Sequence, residues 1–210
     1  MALNINGTTG ISGVDGSVSA PALTGTDSNT GITFPSADTI KFATGGVERM
    51  AITNSGISGI TQGKVLQTVF AEYGTVTTNT TTSYANTGLT ASITPSSSSS
   101  KIQVLVTQPY RIGRGSASDA SGAIQIYRSV SGSETSITSN QGYLLYFDAA
   151  GLGTSHGVYY YNVYSVSYQD SPNTTSAVTY LTKARTYSSN TDIKTQYNGA
   201  AHITLMEIAA

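Results

Sequence analysis

From residue 65 onward, apolar and polar positions alternate with a period of two. Val65, Gln67, Val69, Ala71 and Tyr73 fall on one side of the pattern, with Leu66, Thr68, Phe70 and Glu72 on the other. Leu89, Ala91 and Ile93 alternate in the same way with Thr90, Ser92 and Thr94. An extended chain points successive side chains to opposite faces, so this pattern predicts half-buried strands. Ile102, Val104 and Val106 open a further strand, which Pro109 should end, because proline has no N–H to give to a ladder. Strands are also predicted over 122–130, 134–138, 142–148, 157–168, 176–186 and 201–208. Pro95 with Ser96–Ser100, Gly113-Arg114-Gly115, Gly132, Gly151-Leu152-Gly153, Ser171-Pro172-Asn173 and Asn198-Gly199 supply the turns between them. No window of about 11 residues has helical periodicity. Short strands so spaced predict an all-β head over 63–210, an antiparallel sandwich of jelly-roll type.

Residues 1–62 have a different texture. They hold short strand-like runs, Gly31-Ile32-Thr33-Phe34, Thr39-Ile40-Lys41-Phe42-Ala43 and Val47-Glu48-Arg49-Met50-Ala51-Ile52, with Thr44-Gly45-Gly46 as a turn between the last two. Gly10-Ile11-Ser12-Gly13 recurs as Gly56-Ile57-Ser58-Gly59. Gly7, Gly10, Gly13 and Gly16 fall every third residue, but three triplets without proline are too few for a collagen helix. A segment of this length with two aromatics, Phe34 and Phe42, cannot bury a sizeable core alone. It is predicted to be a short glycine-rich β shaft or attachment region, intertwined with other copies of itself.

Tyr159, Tyr160, Tyr161, Tyr164 and Tyr168 crowd one predicted strand. Tyr160, Tyr164 and Tyr168 share a face with Val158 and Val166, while Tyr159 and Tyr161 share the other with Val163. Bulky residues on both faces predict that both faces are covered. One face fits a sandwich core; with no helix available, a second subunit is the expected cover of the other.

Composition sharpens this division. All 14 tyrosines lie between Tyr73 and Tyr197, whereas 10 of the 22 glycines lie in residues 1–62. Charged residues make up only 10% of the chain, against about a quarter usually. With 10 Lys+Arg against 11 Asp+Glu, the net charge of -1 argues against a nucleic-acid partner, which would need clustered cations. No Cys removes disulfides and thiolate metal sites, and no apolar run is long enough to predict membrane insertion. Met1–Asn6 lacks the basic and apolar regions of a Sec signal, so folding in a bacterial cytoplasm is expected.

Catalytic constellations are sparse. The two histidines, His156 and His202, show no zinc-binding spacing, and His202 sits in a strand pattern with Thr204, Met206 and Ile208. The 11 carboxylates are scattered, and the glycine pairs lack a following helix that could hold a phosphate. The expectation is no enzyme, no cofactor and no metal. Tyr110, Arg111 and Arg114 form the single local basic cluster, predicted in a loop, where arginine could grip an acidic sugar or phosphate, or belong to a solvated turn or an intersubunit salt bridge. Tyr143, Tyr146 and Tyr187 are further candidates for stacking on a glycan. Asn6, Asn79 and Asn173 each begin a glycosylation sequon, at the frequency expected by chance in a chain with 61 Ser and Thr.

The run Gly25-Thr26-Asp27-Ser28-Asn29-Thr30-Gly31-Ile32-Thr33-Phe34-Pro35, followed by Asp38-Thr39-Ile40-Lys41-Phe42-Ala43-Thr44-Gly45-Gly46-Val47-Glu48-Arg49-Met50, resembles segments of tail-fibre and minor structural proteins of tailed phages, notably those of cyanobacteria. Lys64–Gln67, Thr87–Leu89, Ile93–Pro95, Lys101-Ile102 and Ile203–Ile208 are similar to the head module often joined to such segments. The resemblance implies a homotrimer with an N-terminal attachment shaft and a C-terminal β head, located on the virion tail or capsid surface. It places Leu3, Ile5 and Ile11 toward other virion proteins, and the crowded tyrosines at the trimer interface. The implied role is a fibre or spike binding a host cell-surface glycan; the alternative is a purely structural decoration or adaptor. It transfers no catalytic residue.

Overall fold

The computed structural model describes residues 4–6, 10–12, 15–59, 64–114, 120–138, 145–147, 158–188 and 190–210, with 4–6, 10–12 and 145–147 as backbone only. Among the described residues the fold is all-β, and the chain forms two compact units, Met1–Lys64 and Val65–Ala210.

The described residues of the first unit form nine short strands: β1 (Asn4–Asn6), β2 (Gly10–Ser12), β3 (Gly16–Ser17), β4 (Ala20–Pro21), β5 (Leu23–Thr24), β6 (Gly31–Thr33), β7 (Ile40–Thr44), β8 (Val47–Thr53) and β9 (Gly56–Ser58). β1 pairs β2 and β3 pairs β4, while β5 to β9 form a five-stranded antiparallel meander in sequence order. The two copies of the Gly-Ile-Ser-Gly echo thus open strands β2 and β9. Gly45 and Gly46, at φ +57° and +73°, make the two-residue hairpin that β7 and β8 require, because its twist needs positive φ at both positions.

Register aligns the apolar residues of the meander. Leu23 faces Ile32, Ile32 faces Phe42, and Phe42 faces Met50; Ile40 faces Ile52, which faces Ile57. Directly paired residues share a face, so seven apolar side chains line one side of five strands. The opposite side carries the Lys41–Glu48 ion pair at 2.7 Å, with Thr33, Ala43 and Ala51 buried. Asp15–Pro21 lies against that side: Phe34 N–H donates to the Asp15 carbonyl at 2.7 Å, and Pro21 packs against Gly31. Among the described residues of this unit, no second layer covers the apolar side, where Leu23, Ile40, Ile52 and Ile57 remain 37–57% exposed.

The second unit is a sandwich of two antiparallel sheets. Its strands are β10 (Val65–Tyr73), β11 (Thr77–Asn79), β12 (Ala85–Ile93), β13 (Lys101–Arg114), β14 (Ala120–Val130), β15 (Ser133–Ser136), β16 (Leu145–Phe147), β17 (Val158–Asp170), β18 (Val178–Thr186), β19 (Thr191–Thr195) and β20 (Ala201–Ile208). The first sheet runs β10-β20-β13-β19-β11, with β17 along the other edge of β13; the second runs β12-β18-β14-β15, with β16 on β14. The predicted alternation is realised. Ile102, Val104, Val106, Ile193, Ile203 and Leu205 meet Leu89, Ile93, Ile124, Ile126, Val178 and Tyr180 in one core.

Pro109 does not end its strand. β13 continues to Arg114, carrying Gly113 and Arg114, expected in a turn, inside the ladder. The inner neighbour of β13 changes there, from β20 up to Thr107 to β19 from Tyr110 onward. The Pro109 carbonyl accepts from Gln196 N–H at 2.8 Å on that side, so its missing N–H falls at the junction and costs no ladder bond. β11 and β19, short and rich in threonine, carry too few apolar residues to be read from the pattern. Of the strand expected at 142–148, 145–147 are strand and the rest lie outside the described residues, as do Gly115, Gly151-Leu152-Gly153 and His156.

Two details position the sandwich. Gly88 sits at φ +90° beside a register shift in β12, and a Cβ there would lie 2.2 Å from the Tyr73 ring. Gly88→Ala is expected to destabilise the protein by about 2–3 kcal/mol through backbone strain and overpacking, read as a lower urea midpoint. Glu207, fully buried, explains the serine run: it accepts from Gln67 Nε2 at 2.6 Å and from Ser96 N–H and Oγ at 2.7 Å each. Burial raises its pKa, but the bonds from Gln67 and Ser96 outweigh that and hold it at about 2, below the ordinary 4.5. The unfolded chain therefore binds the proton first as pH falls. The Glu207 contribution is complete above about pH 4.5 and is lost down to about pH 2. Across that window the urea midpoint should fall more steeply for the native protein than for Glu207→Gln.

Candidate functional site

The expected basic cluster is a strand, and alternation sends its members to different places. Tyr110, 2% exposed, belongs to the core, so it is not the exposed stacking residue expected from sequence. Burial pushes its phenol up, and a hydrogen bond with Asn162 partly offsets this. Arg114 is also buried, 2% exposed, because even-numbered positions of β13 face the interior. Arg111 points outward but is not free: it is ion-paired with Asp192, and its guanidinium lies 4.4 Å from the Tyr159 ring centre and 5.3 Å from that of Tyr197. Gly113 permits this arrangement, since a Cβ there would stand 2.6 Å from Asp192 Oδ1 and 2.7 Å from Tyr159 Cδ1.

The crowded tyrosines divide as well. Tyr164 lies in the core, 3% exposed, where burial pushes its phenol up to about 12. It cannot form an interface with another subunit, because the second sheet already covers it. Tyr168 is half-buried opposite Val104. Tyr159, Tyr160, Tyr161 and Val163 are 39–53% exposed. β17 pairs with β13 on one edge, and no strand pairs its other edge among the described residues.

These elements build a groove at one end of the first sheet. Its lining is Pro109, Tyr110, Tyr161, Asn162, Val163, Tyr197 and Asn198, around a cavity of about 310 Å³. The Tyr161 and Tyr197 ring centres stand 5.6 Å apart with planes inclined at 44°. Asn162 donates to Tyr160 Oη at 3.1 Å and accepts from Val163 N–H at 2.8 Å. Tyr197 was missed in the sequence because its partner, Tyr161, lies in another strand. The useful signal was the Asn198-Gly199 turn beside it.

On the second sheet, Tyr187 lies in a separate cluster. The Arg185 guanidinium lies 4.2 Å from the Tyr187 ring centre and 4.8 Å from that of Tyr84; Tyr84 meets Tyr127 edge-on at 5.9 Å, and Lys183 over Tyr127 pairs with Glu134. Tyr143 and Leu3 lie outside the described residues. Tyr146 lies in β16, and Ile5 and Ile11 are register partners in the β1–β2 hairpin, all with backbone alone described. His202 stacks on Phe70 at 5.6 Å, with Nδ1 3.4 Å from Glu72. Asn79 is 8% exposed and donates to the Ala184 and Ser83 carbonyls at 2.7 and 3.0 Å, so its amide is already committed. Among the described residues, no three His, Asp or Glu side chains converge as metal ligands.

In the first unit, a second hollow of about 430 Å³ opens on the apolar side of the meander, lined by Phe34, Ile40 and Ile52 and rimmed by Ser36, Asp38, Thr39, Thr53 and Asn54. No protein-family model matches the chain, and no curated protein sequence matches it significantly.

Proposed function

We propose that the chain is a non-enzymatic structural protein of a tailed-phage virion. In this reading it is a short homotrimeric fibre or spike whose jelly-roll-like β head attaches to a host-surface glycan. The observation that carries it is the one-sided meander of residues 23–58. A single sheet with seven aligned apolar residues on one side needs a second layer, and the simplest source is the same face of other copies. Three copies make the closed assembly that the phage resemblance implies. The scarcity of charge fits surface withdrawn into contacts between chains.

A second reading is a capsid or tail decoration or adaptor, since the meander of residues 23–58 is one sheet and not the array of repeats that reach requires. Both readings are tested on purified particles of a phage that encodes the chain. Mass spectrometry should find the protein in the particle, and antibody labelling should place it on the tail for a fibre or on the shell for a decoration. Native mass measurement should give three chains. A protein absent from the particle, or a monomer in solution, would overturn the proposal.

A further inference from the structure

The groove lined by Tyr161 and Tyr197 has the chemistry of a ligand site, and its lining carries no charged side chain. The nearest charges share the face of Tyr161 but lie outside the lining: Arg111, against the Tyr197 ring, is paired with Asp192, and Lys194 stands opposite Arg111 in the ladder. The lining itself offers an ionic ligand no charged partner to offset its lost water. The walls are apolar ring faces, with Tyr161 51% and Val163 49% exposed. The polar groups turned to solvent are few. Asn162 is held by its own hydrogen bonds, whereas Asn198 is exposed and its amide can both donate and accept. A ligand that matches both features has a flat apolar face edged with hydroxyls.

The groove is also preformed. Gln196 and Asn198 hold left-handed backbone at φ +56° and +63°, and Gln196 N–H is bonded to the Pro109 carbonyl at 2.8 Å. The 196–199 loop is thereby pinned to β13, so little ordering cost remains for binding.

We infer that this groove is a binding site for one neutral pyranose unit, with Tyr161 and Tyr197 stacking on the sugar and Asn198 bonding a pair of its hydroxyls. The inference rests on the attachment role proposed above and names the ligand class and place on the head. Single-site binding is weak, and several heads on one assembly multiply it.

The test uses the full chain. Methyl glycosides of glucose, galactose, mannose and N-acetylglucosamine, their short oligomers, and glucuronic acid as the acidic arm are titrated by saturation-transfer NMR and calorimetry up to about 10 mM, the range for weak single sites. At least one neutral sugar should bind. Tyr161→Ala and Tyr197→Ala should each weaken it by at least about tenfold, the effect of losing a packed aromatic wall. Tyr161→Phe should retain binding, and Tyr187→Ala, on the other sheet, should leave it unchanged. Circular dichroism confirms that each variant is folded. No neutral sugar bound, glucuronic acid bound in preference, or native affinity retained in both alanine variants would overturn the site. A trimer found in virions with an inert groove would sink this inference and leave the structural role standing.

Discussion

Asp170→Ala should cost the protein about 3–5 kcal/mol, the largest loss expected from a single substitution in the head. Asp170 ends β17 in the first sheet and is 7% exposed. Both its oxygens accept from Arg128 Nη1 at 3.0 Å, and Oδ2 also accepts from Tyr180 Oη at 2.8 Å. Arg128 and Tyr180 face each other across β14 and β18 in the second sheet. The carboxylate is therefore a clamp between the sheets. Burial, with the bond to Asp170, pushes the Tyr180 phenol upward, so the phenol remains a donor throughout the accessible pH range. Removing the carboxylate leaves a partly buried guanidinium and a buried hydroxyl without their acceptor, and desolvation then acts unopposed. Urea denaturation followed by circular dichroism measures the loss. Adding Tyr180→Phe to Asp170→Ala should cost less than the sum of the two single effects, since both remove one network. Additive losses would show that the hydroxyl and carboxylate act separately.

The second large effect concerns assembly. Phe42→Asp with Ile52→Asp should convert the proposed trimer to monomer at micromolar concentration. These residues sit on neighbouring strands in the apolar face of the meander, Phe42 opposite Met50 and Ile52 opposite both Ile40 and Ile57. With strands about 4.8 Å apart and about 3.3 Å per residue, the face measures roughly 300 Å² per copy, in the range of the largest patches on monomers, which are often functional. Burying it against equivalent faces contributes on the order of 25 cal/mol per Å², and two carboxylates at its centre would remove that gain and add a desolvation cost. Sedimentation velocity separates the outcomes. An unchanged oligomer would place the interface elsewhere, with the exposed edge of β17 the next candidate. Lys41→Ala, on the opposite side of the same sheet, should leave assembly intact, because its pair with Glu48 is exposed.

Much of the fold was legible because period-two alternation states which side of a strand is buried. Ile102, Val104 and Val106, or Ile203 and Leu205, could be placed in a core from their spacing alone. The same logic put Ile40, Phe42, Met50 and Ile52 on one side of their strands, and the register aligns them there, but within the chain that side stays open while Thr33, Ala43 and Ala51 are buried on the other. It failed for Tyr110, Arg111 and Arg114. Reading Pro109 as a stop put all three in a loop, where alternation has no meaning. Once β13 continues, Tyr110 and Arg114 must turn inward and Arg111 outward. Tyr164 was misassigned for a related reason. Its face was read correctly as shared with Val166, but which tyrosine-bearing face met the core depended on which side of β13 packs against the second sheet.

The groove shows what lay beyond local reading. Tyr161 and Tyr197 are 36 residues apart in the chain, and each is an ordinary strand or turn tyrosine by itself. They meet because β13 takes β17 on one side and β19 on the other, so register places Arg111 between Tyr161 and Lys194. The sequence alone determined the all-β class, the contrast between a glycine-rich first part and a tyrosine-rich second, and the inward faces of regularly alternating strands such as β12 and β20. These follow from side-chain alternation and composition, which are properties of neighbouring residues. The tertiary structure decided which strands became neighbours, and with that which arginine was neutralised, which tyrosines were buried and where a groove opened. Strand pairing is a choice among distant segments with similar local patterns, and it is settled by the packing of the whole sandwich.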